Sequence, residues 1–132
     1  MLTFELPFPP SINRYYRHVH GFRTLISREG RAYRLAVCAI LRRAGVQPLE
    51  GPLAVGIDLY PPDRRVRDVD NAQKSLLDAM QHGGAFLNDS QIKKLLTIMR
   101  PQVVPGGKAL VIVAPLELST LKDIRHEMAP LF

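Results

Sequence analysis

Leu53-Ala-Val-Gly-Ile-Asp-Leu-Tyr60 is the stretch on which the fold turns. Leu53, Val55, Ile57 and Leu59 alternate with Ala54, Gly56, Asp58 and Tyr60, a period of two that predicts a strand, and Pro61-Pro62 closes it. The period then changes. Ala72, Leu76, Ala79 and Met80 recur at helical spacing, so a helix is predicted from near Asp70 to the Gly83-Gly84 stop. Two more strands are expected at 91–99 and 108–114, separated by the turn Pro105-Gly106-Gly107.

Upstream, Ser27 is placed to cap a helix from about Arg28 to Arg43, with Ala32, Leu35, Ala36, Ala39 and Ile40 as its apolar stripe and Gly45 as its stop. Leu2, Phe4, Leu6 and Phe8 alternate with Thr3, Glu5 and Pro7 in an edge-capable first strand ended by Pro9-Pro10. Residues 11–26 have no clean period and are expected to form a long functional loop. The order β-α-β-α-β-β implies an α/β (α+β) chain, a single domain whose mixed four-stranded β-sheet packs with two main helices. After Pro115 the tail could form a short helix capped by Ser119.

The chain has 132 residues, 46% hydrophobic and 23% charged, which fits one globular domain and not a disordered chain. Eighteen Lys plus Arg against twelve Asp plus Glu leave +6, a balance suited to nucleic acid or another anionic partner, although a solvated basic face gives the same total. Residues 1–67 hold eleven arginines and five acids, and no lysine precedes Lys74. Arginine's planar fork suits bidentate phosphate contacts. Cys38 is the sole cysteine, which excludes an internal disulfide and a Cys-based zinc site, and its apolar neighbours predict a buried thiol. No apolar run has transmembrane length and the N-terminus does not resemble a signal peptide, so a cytoplasmic protein is expected.

Three segments could carry chemistry. Asp63-Arg-Arg-Val-Arg-Asp-Val-Asp-Asn-Ala-Gln-Lys74 places two carboxylates, Asp68 and Asp70, after Arg64, Arg65 and Arg67 and ahead of Lys74. In an extended chain Asp68 and Asp70 point the same way and could converge on a hard cation; alternatively Asp70 merely caps a helix and pairs with Lys74. Asn88-Asp89 is turn chemistry unless the fold returns Asp89 to Asp68, which a helix followed by a strand allows. In the loop Pro9 to His18, Arg14 and Arg17 could neutralise phosphates while Tyr15 and Tyr16 stack on splayed bases; alternatively one tyrosine is core. His18, His20, His82 and His126 have no metal-ligand spacing and are expected at the surface. No Gly-rich phosphate loop supports a small-molecule phosphohydrolase.

Together these motifs (Leu6 to His18, Pro62 to Lys74, and Asn88-Asp89) resemble the RusA family of Holliday-junction resolvases, in the same order over about residues 3 to 112. The resemblance implies a homodimeric, Mg²⁺-dependent endonuclease, with Mn²⁺ as a substitute metal and no organic cofactor, that cuts four-way junction DNA in recombination and repair. It implies catalytic, metal-binding roles for Asp68, Asp70 and Asp89 and a catalytic role for Lys74. DNA contacts are expected from Arg14, Tyr15, Tyr16, Arg17, Arg64, Arg65 and Arg67, and a cytoplasmic, nucleoid-associated location without membrane contact. The endonuclease domain would be 1–115, with 116–132 as a tail. Asn88 departs from an acid common in the family. A flap- or fork-specific nuclease and a non-catalytic DNA-binding module are the competing readings.

Overall fold

The computed structural model describes residues 1–21 and 23–118. Its elements run β1 (Leu2–Leu6), α1 (Ile12–Tyr15), β2 (Tyr16–Val19), β3 (Arg23–Ile26), α2 (Arg28–Arg43), β4 (Leu53–Tyr60), α3 (Val69–His82), β5 (Ile92–Met99) and β6 (Lys108–Pro115). Four strands form one mixed sheet in the order β1-β6-β4-β5. β6 is antiparallel to both β1 and β4, whereas β5 is parallel to β4, because α3 carries the chain back across the sheet. The α+β class and the mixed four-stranded sheet are as expected. The helix expected after Ser119 lies outside the described residues.

The helices lie on one face of the sheet. Leu53, Val55, Ile57 and Leu59 of β4, with Ala109, Val111 and Val113 of β6 and Phe4 and Leu6 of β1, meet Val37 and Leu41 of α2 and Leu76, Ala79 and Met80 of α3. Every residue of β4 is buried. On its other face Ala54 joins Ile112, Leu96 and Leu116, and Asp58 takes the Arg100 guanidinium at 2.5 Å.

Two sequence expectations change. Residues 11–26 are not a loop: they hold the single turn α1 and a second, two-stranded sheet of β2 and β3. The side chains of residues 17–21 and 23–25 are exposed, so no apolar period marks them. In α2 the buried face is Gly30, Tyr33, Val37 and Leu41, while Leu35 is 72% exposed. The helix is turned by two contacts. A Cβ at Gly30 would sit 2.2 Å from the Tyr15 carbonyl oxygen, so only glycine lets the helix approach α1 there. The Tyr33 hydroxyl donates to the Pro7 carbonyl at 2.7 Å, fixing the next inward position. This rotation also leaves Cys38 half-buried, not buried as its neighbours implied.

The cap at Ser27 is as expected: its Oγ accepts from the Gly30 N–H at 2.9 Å and donates to the Tyr15 carbonyl at 2.9 Å. One polar network then ties α1, α2 and α3 together. Arg34 donates to Asp78 Oδ2 at 2.8 Å and to the Tyr15 hydroxyl at 2.6 Å, and the Tyr15 and Tyr16 hydroxyls both donate to Asp78. Burial alone would raise the Asp78 pKa, but these hydrogen bonds and the Arg34 charge outweigh it and hold the carboxyl below its ordinary value.

Because the folded-state pKa is depressed, the stability this network gives is present above about pH 4 and is lost as pH falls through the lowered folded value. Asp78→Ala strands the half-buried Arg34 charge and should cost about 2–4 kcal/mol, or roughly 10 °C in Tm. Thermal melts at neutral pH and near pH 3 check this. The variant's deficit should shrink in acid, and an equal deficit at both pH values would mean that the ion pair is not its source.

Candidate nucleic-acid interface and metal site

Asp68 stands at the N-cap position of α3 with extended backbone (φ −84°, ψ 131°), and Asp70 lies in the first helical turn. The two are therefore not an extended pair projecting from one side of a strand. Asp68 lines a cleft of about 520 Å³ with Phe8, Pro10, Arg14, Arg65 and Arg67. Asp70 and Lys74 line a neighbouring groove with Ile12, Gln73 and Leu77, and Asn71 borders both.

The bland reading of these acids does not hold. Asp68 makes no side-chain cap hydrogen bond, and the ion pairs of the described residues include none between Asp70 and Lys74. Of the six aspartates among the described residues, Asp58, Asp63 and Asp78 each hold an arginine within 2.8 Å. Asp68, Asp70 and Asp89 hold none. Asp68 and Asp70 accept only long contacts, 3.4 Å each, from Asn71 and Gln73. All three are exposed. Uncompensated carboxylates in a chain of net charge +6 need an explanation, and hard oxygen donors of this kind suit a divalent cation.

Asp89 does not join the other two within one protomer. It opens a 3₁₀ turn (Asp89–Gln91) just before β5, and its N–H donates to Gln81 Oε1 at 2.9 Å. Gln81 lies in the last turn of α3, eleven residues beyond Asp70, which at 1.5 Å per residue is about 16 Å along the helix axis. The described residues accordingly contain no group of three or more His, Cys, Asp or Glu side chains able to hold a metal ion. The expected return of Asp89 fails because a parallel crossover sets the start of β5 beside the start of β4, and Asp68 follows the end of β4. Asn88 carries the turn chemistry: its Oδ1 accepts from the Ser90 N–H at 2.8 Å. Gln91 Oε1 accepts the Leu87 and Asn88 N–H groups. The Asp89 backbone is thus fixed while its carboxylate faces outward.

The expected DNA contacts divide. Tyr15 is fully buried and Tyr16 half-buried, and they meet edge to face at a centroid distance of 4.9 Å. Burial and Asp78 both raise the Tyr15 pKa. These tyrosines fasten the helices, and Tyr15 in particular has no face for a base. Arg14 and Arg17 are exposed, as are Arg64 and Arg65. Arg67 is committed more deeply, pairing with Asp63 at 2.8 Å and lying over the Phe8 ring at 5.5 Å. His18, His20 and His82 are exposed, as expected; His126 lies outside the described residues.

Sequence reading missed Phe8, Pro10 and Asn71 as parts of the site. Pro10 is anchored by Ser75, whose hydroxyl donates to its carbonyl at 2.5 Å, so the turn before α1 becomes a wall of the cleft. Pro9-Pro10 was legible as a strand end, but nothing local says that a buried serine in a distant helix holds it. No described helix is long and apolar enough to cross a membrane.

Comparison with known proteins bears on this arrangement. The family described as Endodeoxyribonuclease RusA matches residues 7–110. The chain is 44% identical over 107 residues to the crossover junction endodeoxyribonuclease RusA of Escherichia coli strain K12, covering 80% of this chain and 88% of the relative. The protein of the same name from Shigella sonnei strain Ss046 is 45% identical over the same shares, and that of Enterobacteria phage 82 is 44% identical over 78% and 85%. The matched span runs from Pro7, just before Phe8 of the cleft wall, through Asp68, Asp70, Lys74 and Asp89, to Leu110 in β6, and the chain belongs to the RusA endodeoxyribonuclease family.

Proposed function

We propose that this chain is a Mg²⁺-dependent junction-resolving endonuclease that works as a homodimer and cuts opposed strands of a four-way DNA junction. The observation that carries this reading is that, among the described residues, Asp68, Asp70 and Asp89 are the three aspartates without an arginine, in a family of endodeoxyribonucleases. Mg²⁺ requires oxygen ligands at about 2.0–2.1 Å, so the carboxylates that share one ion must converge within a few ångströms. Asp89 misses Asp70 by far more than that inside one protomer. A second copy removes the conflict. A two-fold axis that sets the open β5 edges antiparallel brings each Asp89 toward the partner's α3 start, and it generates two identical sites at once.

In that site, Asp68 and Asp70 of one protomer and Asp89 of the partner subunit would hold the cation, which when bound would supply Lewis acidity toward the scissile phosphate and a water of lowered pKa. Lys74, one helical turn from Asp70 and exposed in the same groove, offsets the charge that builds on the phosphate oxygens. Arg14, Arg17, Arg64 and Arg65 hold the arms by phosphate contacts, which makes binding steeply salt-dependent. A junction's approximate two-fold symmetry then matches that of the dimer. The role is recombination and repair in the cytoplasm.

Incubating the chain with a synthetic mobile junction and with linear duplex, over a Mg²⁺ titration, tests the activity. The expected result is symmetric, ligatable nicks in the junction alone. Cleavage confined to flaps or forks would move the chain to another structure-specific nuclease class. Junction binding without Mg²⁺-dependent scission would make it a binding module.

A further inference from the structure

The burial of Tyr15 leaves open which side chains meet the bases, and the loop between β4 and α3 supplies an answer. Val66 stands at 99% exposure, the most exposed of the large hydrophobic side chains described. One exposed valine is ordinary. Its setting is not, because the loop that presents it is pinned from within. The Asp63 carboxylate accepts the Arg65 N–H at 3.0 Å and the Arg67 guanidinium at 2.8 Å, and both hold its pKa below the usual range. Arg67 also donates to the Asp63 and Arg65 carbonyls at 3.2 Å each and is backed by the Phe8 ring. Val66 is thereby held out between two arginines, two residues from Asp68.

Directly beside it is the cleft of about 520 Å³. Its walls pair apolar surface (Phe8, Pro9, Pro10) with guanidinium groups (Arg14, Arg65), and it opens onto Asp68. That combination suits one unstacked nucleotide: a flat apolar base against the proline and phenylalanine wall, with its phosphate on the arginines. Apolar side chains are the groups proteins push between base steps to unstack them.

We infer that Val66 is a wedge that enters the base stack at the junction crossover, and that the adjoining cleft receives the nucleotide it displaces next to the scissile phosphate. This rests on the nuclease reading above and adds a specificity device to it, since a base already unpaired at a crossover is displaced at lower cost than one in continuous duplex. The Asp63–Arg67 pair is the positioning element, and Val66 is the group that touches DNA.

The test uses full-length protein and four-way junctions carrying 2-aminopurine at the crossover, whose fluorescence rises on unstacking. Binding is read in Ca²⁺ and cleavage in Mg²⁺. Wild type should raise the fluorescence on binding. Val66→Ser, at a fully exposed position, should fold normally, bind within about twofold, lose the fluorescence rise and cut about tenfold or more slowly. A mismatch placed at the crossover should restore much of its cutting. A Val66→Ser protein with wild-type fluorescence and rate overturns the wedge, as does a wild type that binds and cuts with silent fluorescence. A wild type that neither binds nor cuts junctions sinks the nuclease reading itself, and the wedge with it.

Discussion

Junction cleavage by Asp70→Asn should fall by at least about 10³-fold, because the substitution removes a carboxylate from the proposed metal site, whose whole contribution would be to concentrate and position charge. Junction affinity measured without divalent metal should be unchanged or a few-fold tighter. The sign follows from electrostatics: Asp70 is exposed and has no cationic partner among the described ion pairs, so in the absence of metal it repels the phosphate it must approach. The substitution is nearly isosteric and lies in an exposed first turn, so folding should be unaffected. Gel-shift titration and single-turnover cleavage on one protein preparation separate the two effects. Cleavage near the wild-type rate would remove Asp70 from the metal site. Loss of binding together with cleavage would mean that Asp70 acts by shaping the interface.

Much of the scaffold was legible because its elements obey local rules. The run from Leu53 to Tyr60 alternates strictly, Ser27 makes the cap its position suggests, and α3 buries the four residues that its spacing singled out. Legibility failed where a tertiary contact overrides local pattern. The inward face of α2 is set by Gly30 against the Tyr15 carbonyl and by Tyr33 against Pro7, so of the stripe Ala32, Leu35, Ala36, Ala39 and Ile40 only Ile40 packs against the core. In β2 and β3 only the end residues Tyr16 and Ile26 are half-buried and the rest are exposed, so there is no hydrophobic period to find.

The site divided in the same way. Asp68, Asp70 and Lys74 could be grouped because they are close in sequence and share the start of one helix. The placement of Asp89 depended on strand direction. α3 carries the chain to the start of β4 before β5 begins, and Asp89, tied to Gln81 in the last turn of that helix, stays at that end of the sheet. The tyrosines illustrate the converse error. Tyr15 and Tyr16 sit among arginines in sequence, yet one of the cations they meet is Arg34 of α2, in a network closed by Asp78. What looked like a nucleic-acid surface there is a polar clamp between helices, whereas Arg14, Arg64, Arg65 and Val66 are the side chains left exposed around the cleft.

The central claim is that each metal site draws Asp68 and Asp70 from one protomer and Asp89 from the other. It is tested most directly by making dimers of two differently tagged subunits, one Asp70→Asn and one Asp89→Asn. Each variant should be inactive as a homodimer. In the mixed dimer, the intact Asp68 and Asp70 of one subunit meet the intact Asp89 of the other at a single site, so the account predicts recovered nicking of one strand at about half the wild-type rate per dimer. A companion dimer joining a wild-type subunit to an Asp70→Asn/Asp89→Asn subunit should be dead, since each of its two sites lacks one carboxylate. The reverse pattern, with the mixed single variants inactive and the wild-type/double-variant dimer nicking one strand, would place all three aspartates in one chain and contradict the account.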